Sequence, residues 1–373
     1  MSRIKSTMLE HSLAPIFANF AGISRGDANL ISIPSEIYDT EVCNTGRHSA
    51  HEQPAADCQP SKRERFSAAI LHANALAKME IPPRKTIIVP WFREGSLVHI
   101  FGARGSGKTW FAWEMAISIS KGEKFGPWDC GAPCKVLYAD GEMALESMKE
   151  RMLSIDPNPS ENLMLLSHEQ LANKSEMVLN LCRENQQKFL LDHCVTSGVK
   201  VVVIDNLSCL LYGMRENEAD SWDPILRWLL ELRRSGVAVV VVHHANRTGN
   251  DMRGTSRRED AANWVIKIEK FSELDGPENG TKFTASFTKN RDDNGNHERA
   301  LVWNFTTADG RTDVTWKKLD SKASILGLIG SDGGNCKDIA SRLGTSPANV
   351  SKSVKKFIAE GRIRKNGGKY VLV

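Results

Sequence analysis

The chain has 373 residues, 41% of them hydrophobic and 25% charged, with a net charge of +4, a globular composition that excludes collagen-like and low-complexity classes. That length exceeds one ordinary domain and can bury a full α/β core plus a smaller unit. No apolar run approaches the ~18 residues of a membrane span, and the first residues precede no apolar signal core, so a cytoplasmic protein without membrane contact is expected.

Residues 1–42 have weak periodicity. Residues 43–65 are polar and read, with what precedes them, as a poorly ordered N-terminal segment and linker. Over 66–79 the apolar positions Phe66, Ile70, Leu71 and Leu76 suggest a helix, stopped by Pro82 and Pro83, which gives a helical extension over 66–84. From Ile87 onward, strand-like runs at 97–101, 136–139, 163–166, 199–204 and 237–242 alternate with helical patterns. Near-continuous Val/Ile runs point to strands buried on both faces, and the alternation implies a doubly wound, mostly parallel α/β sheet. Two later strands, 263–269 and 282–288, are expected to join as an antiparallel extension. The main domain is placed at 85–318 and a second one at 319–373. Eight cysteines are scattered along the chain; Cys130 and Cys134 alone are close, and reduced thiols are expected.

The strand at 97–101 runs into Gly102-Ala103-Arg104-Gly105-Ser106-Gly107-Lys108-Thr109 and then into a helical pattern. This is a P-loop in its required context, and the motif implies ATP and Mg²⁺ as ligands. Its backbone N–H groups cradle phosphate oxygens, helped by the positive end of the following helix. Lys108 is expected to reach the β- and γ-phosphates, and the Thr109 hydroxyl to bind Mg²⁺.

Three further segments end at the carboxyl edge of the sheet, where an open α/β fold places its ligand. The strand at 136–139 delivers Asp140 and Glu142. A carboxylate there can deprotonate the water that attacks the γ-phosphate, with Glu142 preferred and Asp140 the alternative. The run Val201-Val-Val-Ile-Asp205 is a Walker B segment, with Asp205 holding Mg²⁺ through its water shell. His243 and His244 end the next apolar run, where a polar side chain can sense the γ-phosphate; zinc binding lacks a third ligand at usable spacing.

This ordered set resembles the RecA-fold ATPases, and within them the plasmid RepA-type hexameric replicative helicases and their DnaB-like relatives, over about residues 85–315. The resemblance implies a homo-oligomeric ring. It assigns the sensor to His244 and a Lys-x-Arg pair, Lys289 and Arg291, to the neighbouring subunit's nucleotide, with Arg291 as arginine finger; a solvated charge pair is the plainer alternative. It also implies that the basic loop carrying Arg253, Arg257 and Arg258 lines a pore and tracks single-stranded DNA, the alternative being an ordinary surface loop.

From Lys322 the pattern changes. Residues 321–373 hold ten Lys/Arg against three Asp/Glu, a net +7 that leaves −3 for the rest of the chain. Two short helices are followed by a third opened by Pro347, whose Val350, Val354, Phe357 and Ile358 share one face. Asn349, Ser351, Lys352, Lys355 and Lys356 lie opposite. Arg362 to Lys365 and Lys369 to Val373 then read as a hairpin. The order resembles a winged helix-turn-helix domain, with duplex DNA as the expected partner of the third helix and of Arg364 and Lys365; a protein–protein contact is the alternative. Taken together, the readings favour a DNA-acting ATPase motor of the replicative helicase kind. An ATP-switched DNA-binding initiator or regulator, and a RecA/RadA-like repair ATPase, are the competing classes.

Overall fold

The computed structural model describes residues 61–214, 219–246, 252, 257–270, 279–291, 300–319, 321–342 and 346–373. The chain divides into two units, Met1–Met79 and Glu80–Val373. In the first, the helix expected over 66–79 is instead two short ones, α1 (Lys62–Ala68) and α2 (Ala73–Lys78). A capping box starts α1: the Ser61 hydroxyl accepts from Glu64 N, and the Glu64 carboxylate accepts from Ser61 N. That cap satisfies two end donors and moves the helix start to before Phe66.

The second unit opens with a hairpin, β1 (Thr86–Ile88) and β2 (Phe92–Arg93), then β3 (Leu97–Gly102) and the long helix α3 (Lys108–Lys121). Next come β4 (Val136–Asp140), α4 (Leu145–Ile155), β5 (Leu163–Ser167), α5 (His168–Ser175) and α6 (Glu184–Ser197). They are followed by β6 (Val201–Asp205), α7 (Leu207–Leu210), α8 (Ala219–Arg234), β7 (Ala238–His244) and α9 (Arg257–Asp260). The sheet is completed by β8 (Trp264–Lys270), β9 (Gly280–Asn290), β10 (Ala300–Ala308) and β11 (Arg311–Lys318).

Nine strands form one sheet in the order β11-β10-β9-β8-β3-β7-β6-β4-β5. The six from β8 to β5 are parallel, and β9, β10 and β11 add on antiparallel. This corrects one expectation: β8 is not part of the antiparallel extension but pairs in parallel with β3, Val98 opposite Trp264 and Gly102 opposite Ile268. The extension also has two strands, β10 and β11, that alternation alone did not single out.

Successive strand residues point to opposite faces, and both faces are covered. Val98, Ile100, Val201, Val203, Val240 and Val242 pack with Phe111, Trp113 and Met115 of α3. Leu97, Val202, Ile204, Val239 and Val241 pack with Leu190 of α6 and Trp228, Leu229 and Leu232 of α8. The α3 face runs on into an aromatic cluster, where Phe111 meets Trp303 edge-on at 5.2 Å and Trp91 meets Trp264 at 5.4 Å. Such pairs add about 0.5–1.5 kcal/mol each beyond area burial. This core anchors α3, and with it the loop that precedes it.

The C-terminal segment contains α10 (Ser321–Asp332), α11 (Cys336–Arg342), α12 (Pro347–Ala359) and a hairpin of β12 (Ile363–Asn366) and β13 (Lys369–Leu372). Ser346 caps α12, its hydroxyl accepting from Asn349 N, with Pro347 in the first turn. Ile325, Ile329, Ile339, Val350, Val354, Phe357 and Ile363 form an apolar cluster of their own. Among the described residues, no helix is long and apolar enough to cross a membrane.

Candidate nucleotide site

The loop between β3 and α3 is shaped by its glycines. Gly105 and Gly107 have φ of +68° and +100°, conformations that side chains rarely adopt. A β-carbon at Gly107 would strike the Phe283 ring, and one at Gly102 would strike the Ile268 carbonyl oxygen. Ala103, Arg104 and Gly105 are exposed, whereas Ser106 and Gly107 are buried. Because α3 begins at Lys108 with no side-chain cap, its first N–H groups remain available to an anion.

Lys108 is buried, and its ammonium donates to the Ala103 carbonyl at 2.8 Å. Burial lowers its pKa, opposed by the charges of Asp205 and Glu142 and assisted by Arg104. Thr109 hydrogen-bonds Asp205, the last residue of β6. Asp205 is buried, and burial pushes its carboxyl up to about 6 against the hydrogen bonds from Tyr138 and Thr109. The Tyr138 hydroxyl donates to Asp205 Oδ2 at 2.6 Å, and its ring stacks on Trp113 of α3 at 4.3 Å.

Asp140 and Glu142 lie at the end of β4, beside β6, in unlike surroundings. Asp140 is buried, and its Oδ1 accepts from Glu142 N at 2.8 Å and Met143 N at 2.6 Å. Burial raises its pKa despite those bonds. Glu142 is exposed, and its Oε2 accepts from the Asn206 side-chain amide. Of the two acids, Glu142 is the one presented to solvent, while Asp140 organises the turn that carries it.

His244 ends β7 directly opposite Gly102, the first residue of the P-loop, and Ala245 N donates to the Gly102 carbonyl at 2.9 Å. Lys108, Thr109, Asp205, Glu142 and His244 are therefore gathered at one edge of the sheet. Lys289 and Arg291 are not. Lys289 pairs with Val265 near the start of β8, toward the opposite edge, roughly three residues or ~10 Å along the strand from Ile268, the neighbour of Gly102. Its ammonium donates to the Glu259 carbonyl, and burial, then Arg291, lowers its pKa. Arg291 is exposed.

Arg253 lies outside the described residues; Arg257 and Arg258 open α9. On α12, Asn349, Lys352, Lys355 and Lys356 are exposed and Ser351 is half-buried, and on β12 Arg364 and Lys365 are exposed. Lys356 also pairs with Glu360 at 3.7 Å. Sequence reasoning passed over Tyr138 and Asn206. Tyr138 lies within the strand at 136–139 and Asn206 directly follows the run at 201–205, but their partners are 67 and 64 residues away.

The oxygen donors suit Mg²⁺, which is bound by one or two protein oxygens together with water and phosphate: Thr109 and Asp205 are already in contact. The AAA domain family model AAA_25 matches residues 60–250. No curated protein matches the chain in sequence. Among solved structures, the flagellar accessory protein FlaH from Methanocaldococcus jannaschii is 14% identical, covering 59% of this chain and 89% of its own at a TM-score of 0.42. A KaiC-like protein from Pyrococcus horikoshii OT3 is 16% identical, covering 62% of this chain and 99% of its own at a TM-score of 0.44.

Proposed function

The chain belongs to the AAA_25 family of AAA domains, with the P-loop and sheet of a RecA-like ATPase, and we propose that it is an ATP-driven motor acting on DNA, of the RepA-like replicative helicase kind. The observation that carries the ATPase reading is the convergence of Lys108, Thr109, Asp205 and Glu142 at the carboxyl edge of the sheet. The triphosphate lies against the N-terminus of α3, inside the glycine turn. Lys108 exchanges the Ala103 carbonyl for the β- and γ-phosphates, whose charge offsets the cost of burying its ammonium. Thr109 and Asp205 would hold Mg²⁺, which would supply charge to neutralise those phosphates. Glu142 takes a proton from the water that attacks the γ-phosphorus as the bond to the β-phosphate oxygen breaks and ADP leaves. His244, beside Gly102, registers loss of the γ-phosphate.

Arg291 follows β9 at the edge of the sheet away from its own P-loop, so as an arginine finger it would serve the nucleotide of an adjacent copy in a ring. The DNA reading rests on the +7 charge of residues 321–373 and its exposed display on α12 and β12. Three helices and a hairpin with their own core suit a winged helix gripping duplex, while Arg253, with Arg257 and Arg258 at the opening of α9 rather than in a loop, tracks the single strand. That same C-terminal segment favours a second reading, an initiator or regulator in which ATP switches duplex binding without unwinding.

Steady-state hydrolysis with and without single-stranded DNA, for wild type and Lys108→Ala, separates the two. Stimulation by single strands that the variant abolishes supports the motor. Unstimulated turnover beside tight duplex binding supports the switch, and wild-type turnover surviving in Lys108→Ala refutes the site.

A further inference from the structure

We propose that Asn206 is a positioning residue that aims the Glu142 carboxylate at the attacking water. The inference deepens the ATPase reading above and rests on it. Asn206 follows Asp205 at the end of β6, is 2% exposed, and caps α7. Its amide is used at both ends. Oδ1 accepts from Cys209 N at 3.1 Å, and Nδ2 donates to Glu142 Oε2. A flipped amide would turn its N–H₂ on the Cys209 N–H and its oxygen on a carboxylate, so the cap fixes which end faces Glu142.

The two loops are joined at the backbone as well. Gly141 N donates to the Asp205 carbonyl at 2.9 Å, and a β-carbon at Gly141 would lie 2.6 Å from Leu210 Cδ2. Glu142 is thus held twice: its backbone by the Asp140 carboxylate, and its tip by Asn206. An exposed glutamate would otherwise sample several rotamers, each with its own distance to the γ-phosphate. Asn206 engages one carboxylate oxygen, and proton transfer needs one. A general base contributes about 10²–10⁴-fold, and a misplacement of about 1 Å forfeits as much as 10²-fold. Asn206 itself touches neither phosphate nor water in this role; it acts through Glu142.

Asn206→Asp separates this role from the fold. The aspartate still accepts from Cys209 N, but it replaces the donor to Glu142 with a second carboxylate. Asn206→Ser keeps a capping oxygen and adds no charge. Turnover, KM for ATP, affinity for a non-hydrolysable ATP analogue and thermal unfolding are measured in the full-length chain for wild type, both variants, Glu142→Gln and the double variant Glu142→Gln/Asn206→Asp. The expected result is a fall in kcat of about tenfold or more for Asn206→Asp, a smaller fall for Asn206→Ser, and KM and analogue affinity within about threefold of wild type. The double variant should be no slower than Glu142→Gln alone, because residues acting as one unit are non-additive. Wild-type kcat in both Asn206 variants, an additive loss in the double variant, or an effect confined to KM would overturn the proposal. Absence of turnover in the wild type would overturn the ATPase reading along with it, whereas wild-type turnover with unaltered Asn206 variants overturns this inference alone.

Discussion

Tyr138→Phe removes a single buried oxygen, and the structure says what that should cost. The ring remains stacked on Trp113 at 4.3 Å, so packing is nearly unchanged. What disappears is a 2.6 Å donor to Asp205 Oδ2, a carboxyl that burial has already pushed up to about 6. A hydrogen bond to a charged group is worth about 1.5–3 kcal/mol, one to a neutral group about 0.5–1.5. The loss should therefore depend on pH. The folded pKa of Asp205 lies above its ordinary 3.8, so the folded chain holds that proton more tightly than the unfolded one, and stability falls as pH rises through that window. Without the Tyr138 hydroxyl the folded pKa climbs further, and the fall becomes deeper. At pH 8 the ionised carboxylate bears the full penalty, about 2–3 kcal/mol; at pH 5 the carboxyl is mostly protonated and the penalty is about 1 kcal/mol. Urea unfolding followed by tryptophan fluorescence at both pH values measures the difference. Equal losses at pH 5 and pH 8, or no loss at either, would refute the account of Asp205.

Two other perturbations test separate parts of the molecule. Glu114 on α3 is half-buried, and burial, then Glu123 and Asp156, pushes its carboxyl up to about 7 from an ordinary 4.5. Lys121 holds those two acids at 3.4 and 3.1 Å, and Cys130 also faces Glu114. Stability from this group is full below about pH 4.5 and declines through about pH 7, so Glu114→Gln should stabilise the protein at pH 8 by at most about 3 kcal/mol and converge with wild type near pH 4; parallel stability curves would refute it. Replacing Lys352 and Lys355 with Glu should weaken duplex DNA binding and reduce the slope of log K against log salt by about 2, since each lost phosphate contact removes about 0.9. An unchanged slope would take α12 out of the DNA interface.

What was legible in the sequence was local. Gly102 to Thr109 announces its turn because glycine is the residue that tolerates φ of +68° and +100° at Gly105 and Gly107. The run at 201–205 announces a buried strand because both of its faces are apolar, and the structure covers each with a different set of helices. Helix α12 follows from a Ser cap, a first-turn proline and a 3.6-residue stripe, all properties of neighbouring residues. Direction and partnership were not legible. The segment Trp264–Lys270 reads equally well in either orientation, because a strand's side-chain alternation is the same in both; the crossover that returns the chain to the same sheet edge makes it parallel to β3. Ile268 then stands beside Gly102 and demands a glycine there. The sequence preferred Glu142 to Asp140, but the physical distinction waited for the fold, which buries Asp140 at the end of β4 under the turn it organises and leaves Glu142 exposed. Tyr138 and Asn206 became part of the site only when parallel pairing of β4 with β6 set Asp140 opposite Asp205. A hydrogen bond spanning more than sixty residues leaves no periodic trace along the chain, since the chain encodes the strands and their packing creates the pair.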